Sequence, residues 1–129
     1  MKKTLALVLT LALLLGLVLS AQATENEKTI YVLVKVLGNQ YWSIVEAGAK
    51  QAGEDLGCKV VIIGTAAESE IEKQVGQLQD AVSSQADGIV VAPLDRKAMI
   101  NPIAEQFKSG IPMILIDSSV DSEDYSQKT

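Results

Sequence analysis

TIYVLVKVLGNQYWSIVEAGAKQAGEDLG, Thr29 to Gly57, changes period partway along. Thr29–Val36 is β-branched and apolar over about the length of a strand. From Tyr41 the apolar positions recur at three and four residues. Ile44, Val45, Gly48, Ala49, Ala52 and Leu56 therefore mark one face of a helix. Gly57 follows the last of them and suits a left-handed cap. Between the two patterns, Leu37-Gly-Asn-Gln leads to two large aromatics side by side, Tyr41 and Trp42. Aromatics are scarce elsewhere, with Tyr31, Phe107 and Tyr125 completing the set.

The same alternation continues. Lys59–Gly64 reads as a second strand, apolar on both faces. Ser69 and Glu72 have capping-box spacing, and Ile71, Val75, Leu78 and Val82 form the apolar stripe behind them. Asp87–Ala92 is a third strand, stopped by Pro93. Asp95 is placed to cap a third helix with Met99, Ile100, Ile103 and Phe107 on its inner face, and Pro102 is expected to kink it. Gly110 ends that helix and Ile111–Asp117 makes a fourth strand. Ser118–Thr129 is polar and is given no structure. Strands apolar on both faces, alternating with amphipathic helices, predict an α/β fold with a doubly wound, Rossmann-like parallel sheet.

The ends and the composition narrow the function. Met1-Lys2-Lys3 is basic, Leu5–Leu19 is almost wholly apolar, and Ser20-Ala21-Gln22-Ala23 offers a small-x-small site. Residues 1–23 are expected to be a cleavable signal peptide, with the mature chain from Thr24 exported to the periplasm or outside the cell. Without those residues the net charge is about −7, with no basic cluster, which argues against nucleic acid or anionic lipid as partner. The chain has no histidine, so histidine-based triads and histidine-ligated metals are excluded. Cys58 is alone and has no internal disulfide partner. No Gly-rich phosphate turn and no Gly-Lys-Ser/Thr occurs. No cofactor, metal or catalytic residue is expected.

In an open parallel sheet, ligands sit beyond the carboxyl ends of the strands, where the strand order reverses. With the order 2-1-3-4, the crevice opens between strands one and three. Tyr41 and Trp42 at that crevice offer flat apolar faces suited to the C–H edges of a sugar ring. Asn39 supplies a donor and an acceptor, and Asp117 can accept from two neighbouring hydroxyls. Packing offers an alternative for the rings, with Trp42 on the first helix and Tyr41 over a strand edge. Asp95 is open between ligand contact and helix cap.

Several stretches together resemble the periplasmic sugar-binding proteins of ABC transporters, of the ribose-binding type. They are Asn39-Gln40-Tyr41-Trp42, Ala47-Gly48-Ala49, Leu56-Gly57, Ala86–Pro93, Ser109-Gly110-Ile111-Pro112 and Ile114–Ser118. The resemblance covers Thr29–Thr129 and matches the first lobe of that two-lobed fold. It implies sugar contacts at Asn39, Tyr41 and Trp42, and at Asp117 with its neighbour Ser118. It further implies an ABC permease as partner and a monomeric full-length form. Two departures matter: the ribose type has Pro and two Phe after the Asn, and Arg after the Asp. Ser118 replaces that guanidinium fork, so another sugar or a cyclitol fits as well as ribose. Residues 24–129 are expected to be a partial N-terminal lobe from a truncated or split gene. Half the contacts of a micromolar site leave ~4 kcal/mol, or roughly millimolar affinity, so this lobe alone is expected to bind sugar weakly or not at all.

Other readings stand beside this one. A sensory protein delivering a sugar-like signal to a receptor would have the same lobe, as would a non-functional gene fragment. A lactose-repressor-type regulator would need a helix-turn-helix where the apolar N-terminus lies. An enzyme built on Asp95 and Asp117 has only strand-end carboxylates to support it.

Overall fold

The computed structural model describes residues 27–121. The expected signal segment and the end of the tail lie outside them. In chain order the elements are β1 (Thr29–Val36), α1 (Gln40–Leu56), β2 (Lys59–Thr65), α2 (Ile71–Ser83), β3 (Gly88–Val91), α3 (Ile100–Phe107) and β4 (Met113–Leu115). The strands form one sheet in the order β2-β1-β3-β4, and every pairing is parallel. Topology and strand order match the sequence prediction.

Alternation along β1 divides the core in two. Leu33 faces Leu78 and Ala81 of α2 and Ile100 and Ile103 of α3, while Val32 and Val34 face Trp42 of α1. Two helices thus cover one side of the sheet and α1 covers the other, as a sheet apolar on both faces requires.

The inner face of α1 differs from the predicted one. Ile44 and Leu56 are exposed, and the helix instead buries Trp42 and Gly53 and partly buries Val45 and Ala49. Gly53 explains the shift. A Cβ there would stand 2.6 Å from Val60 Cγ2 and 2.9 Å from the Cys58 carbonyl oxygen, so glycine brings α1 close to β2. Gly57 closes the helix at φ 65°, as predicted, and Cys58 N–H donates to the Gly53 carbonyl at 2.9 Å.

Three local expectations are corrected. The Ser69–Glu72 capping box does not form. The helix begins at Ile71, and the Glu70 carboxylate accepts from Ala66 N–H at 3.0 Å and from Lys73 at 3.1 Å. Pro102 takes no hydrogen bond from α3, because the helix starts at Ile100 and the proline falls in its first turn, where no intrahelical donor is needed. Phe107 is half exposed, and Ala104 takes its place inside. The stretch after β4 also carries structure: Val120 is buried among the α2 and α3 side chains, and Asp121 N–H donates to the Arg96 carbonyl at 3.2 Å.

Candidate ligand site

The carboxyl ends of β1, β3 and β4 lie side by side, and the loops leaving them carry the predicted site residues. Asn39 is the N-cap of α1. Its Oδ1 accepts from Tyr41 N–H at 2.9 Å, which sets the backbone on which both aromatics stand. The two rings then part. Tyr41 is 54% exposed, whereas Trp42 is 5% exposed, beneath α1 and against Val32, Val34 and Ala92. They meet edge to face, with centroids 4.9 Å apart and planes at 85°. Of the two readings open for the rings, Trp42 follows the packing one and Tyr41 is left as one exposed plate on a buried support. A helical turn of two consecutive residues sends their side chains about 100° apart, so only one can face the rim.

Asp117 lies just beyond β4 in the left-handed region, at φ 61°, a conformation that aspartate tolerates better than most residues. The Ser118 N–H donates back to Ile116 O at 2.6 Å. This tight turn aims the carboxylate across the rim. Tyr41 Oη donates to Asp117 Oδ1 at 3.3 Å. Lys35 Nζ lies 2.8 Å from Asp117 Oδ2 and donates to Ser118 Oγ at 2.6 Å, and Ser118 Oγ donates to Asp117 Oδ2 at 3.1 Å. The hydrogen bond from Lys35 is the main reason that the Asp117 carboxyl is held below its ordinary range; Ser118 and Tyr41 add to it. Lys35 is the group that sequence reasoning passed over. Its signal was present: a lone charge inside the apolar strand Thr29–Val36.

Beside this network lies an open cleft of about 520 Å³, lined by Lys35, Asp95 and Ser118 together with Arg96, Lys97 and Asp121. Arg96 Nε pairs with Asp121 Oδ1 at 3.0 Å. Asp95 Oδ1 accepts from Lys97 N–H at 2.9 Å and Ala98 N–H at 2.7 Å, capping the turn before α3. Those two backbone donors, Ala98 first, hold the Asp95 carboxyl below its ordinary range. Its Oδ1 is therefore committed to the backbone. A second unpredicted residue, Gln74, fixes the same loop from below. It is fully buried, donates Nε2–H to Ala92 O at 2.9 Å and accepts from Leu94 N–H at 2.9 Å.

The structure therefore joins Tyr41, Lys35 and Ser118 through Asp117, sets Asp95 in the adjoining cleft, and uses Asn39 as the cap that positions Tyr41. Short polar side chains around one exposed ring, with most charges already paired, make a rim suited to a neutral, hydroxyl-rich ligand.

Side chains gathered at the strand ends of a doubly wound lobe lie where this architecture takes its ligands. The sequence pattern described as Periplasmic binding protein domain matches residues 30–128, and the chain belongs to that family. It is 29% identical over 110 residues to the D-allose-binding periplasmic protein of Escherichia coli, covering 85% of this chain and 35% of that one. Against the ribose import binding protein RbsB of Haemophilus influenzae it is 30% identical over 117 residues, covering 91% and 38%. A carbohydrate transporter solute-binding protein from Agrobacterium radiobacter, solved with D-arabinose, superposes with TM-score 0.73 at 41% identity, covering 79% of this chain and 34% of that one. An ABC transporter solute-binding protein from Actinobacillus succinogenes with bound D-allose gives TM-score 0.74 at 26% identity, covering 78% and 35%. The chain spans about a third of the length of these relatives.

Proposed function

We propose that this chain is the substrate-binding component of an ABC sugar importer, or part of one. It takes a neutral monosaccharide or cyclitol at the rim and presents it to a membrane permease, with no chemical step. The observation that carries the reading is the network in which Lys35, Ser118 and Tyr41 all bond the Asp117 carboxylate at the ends of β1 and β4. An ionised carboxylate held in place accepts from sugar hydroxyls without reorganising first, and charge-assisted bonds of this kind are the stronger ones. The relatives named with D-allose, ribose and D-arabinose support a sugar as the substrate class. Export follows from the N-terminal segment, with cleavage after Ala23, and puts the protein in the periplasm or outside the cell.

Trp42 is the chain's one tryptophan and touches the Tyr41 ring, so its fluorescence reports on the rim. Titration with D-allose, D-arabinose, D-ribose and myo-inositol is expected to give a saturable change for at least one of them. Contacts from a single rim place the midpoint at about millimolar. A flat response to every sugar and to the cyclitol, with the protein folded, would refute the reading.

A further inference from the structure

The sugar-site reading leaves open what the Tyr41 hydroxyl does, since the ring alone would serve as a plate. The ribose-type pattern has phenylalanine there, the same ring without the oxygen. In this chain the hydroxyl donates to Asp117 Oδ1 across the rim. The other carboxylate oxygen, Oδ2, is already engaged by Lys35 Nζ at 2.8 Å and Ser118 Oγ at 3.1 Å. Oδ1 is therefore the side of Asp117 left to a ligand, and Tyr41 stands over it.

The tyrosine is itself held. Asn39 fixes its backbone N–H at 2.9 Å, and the buried Trp42 ring supports it edge to face at 4.9 Å. The Tyr41–Asp117 bond is 3.3 Å, longer than the ~2.7–2.8 Å usual for O–H···O. A bond this long gives way readily, so an entering hydroxyl can part the pair and bond both ends.

We propose that the Tyr41 hydroxyl is a specificity-determining group. One sugar hydroxyl inserts between it and Asp117 Oδ1, accepting from Tyr41 and donating to the carboxylate, so that the site selects for a hydroxyl at one ring position. Every hydrogen then has a partner: the tyrosine proton goes to the sugar oxygen and the sugar proton to Oδ1. A sugar lacking that hydroxyl would lose two bonds at once and would leave the original Tyr41–Asp117 pair in place. This proposal rests on the reading of the rim as a sugar site.

The test compares the wild-type protein with Tyr41→Phe, each shown to be folded by circular dichroism. Affinities are measured for D-allose, D-arabinose, D-ribose and their monodeoxy analogues. For one ring position, the preference for the parent sugar over its deoxy analogue is expected to fall roughly two- to tenfold in the variant, the worth of one hydrogen bond. Preferences at the other positions should hold. An unchanged ratio at every position would overturn the proposal. A separate readout needs no sugar: the carbon-13 titration of the Asp117 side-chain carboxyl should move upward in Tyr41→Phe, and an unmoved titration would equally overturn it. If no sugar binds the wild type, the sugar-site reading fails and the selection role falls with it. The carboxyl titration would then still report whether the hydroxyl holds Asp117.

Discussion

Replacing Gln74 with methionine tests how the floor of the site is held. Gln74 is fully buried on α2, and its amide spans two backbone groups of the loop after β3, Ala92 O and Leu94 N–H, each at 2.9 Å. Methionine keeps the length and roughly the volume but removes both partners. Each stranded buried group costs about 1–3 kcal/mol, and the apolar side chain returns part of that, so a loss of about 2–4 kcal/mol is expected. Gln77, one helical turn along, is the matched control. It donates Nε2–H to Gly64 O at 2.8 Å, and its own Oε1 is buried without a partner. Gln77→Met strands one carbonyl but relieves an unsatisfied oxygen, so its net cost should be under about 1 kcal/mol. Urea unfolding separates the two. With a slope of about 1–2 kcal/mol per molar for a chain this small, the Gln74 variant should lose at least about 1 M in midpoint at unchanged slope. Equal midpoints for the two variants would refute the claim that the Gln74 amide holds this loop.

Three further outcomes follow from the same geometry. Gly53→Ala should destabilise by about 1–3 kcal/mol, because the new methyl has no room beside Val60 and Cys58, whereas Gly48→Ala, in open space, should stabilise by up to about 1 kcal/mol. Thermal melts that move both variants the same way would contradict this. The Asp117 carboxyl titrates below its ordinary range, chiefly because of Lys35. Its contribution to stability is therefore complete above the unfolded value of about 4 and is lost as pH falls through the folded value. Asp117→Asn should flatten the acid limb of the stability curve below about pH 4, and a limb identical to wild type would count against the pairing. Ile114 is 62% exposed on β4, which among the described residues has a sheet neighbour only in β3. Ile114→Lys should reduce light scattering at high concentration with little change in melting temperature, and a large loss of stability would show that the side chain is packed.

The fold was legible because its signals are long and redundant. Four apolar runs and three helical stripes leave a doubly wound sheet as the one topology consistent with right-handed crossovers. What failed was local and turned on close approach. Gly53 shifted the buried face of α1, since a missing side chain gives no hydrophobic signal. Glu70 displaced Ser69 as the group that closes the turn before α2, because its carboxylate reaches Ala66 N–H. At the strand ends, three of the residues singled out from sequence, Tyr41, Asp117 and Ser118, do come together, but their pairing was not legible there. Whether Tyr41 or Trp42 faces the rim depends on the angle at which α1 leaves Asn39, and no pattern in the sequence records that angle. Lys35 and Gln74 act across elements, at separations of 83 and 18 residues from Ser118 and Ala92, so their partners became visible only in three dimensions.

The most direct test of the account is a set of backbone amide spectra of the folded protein recorded with increasing D-arabinose or D-allose. The account predicts shifts that saturate at about millimolar sugar and cluster at Lys35, Asn39, Tyr41 and Asp117–Ser118, with the opposite ends of the strands unmoved. Saturable shifts confined to those opposite ends, around Lys59 and Gly88, would contradict it.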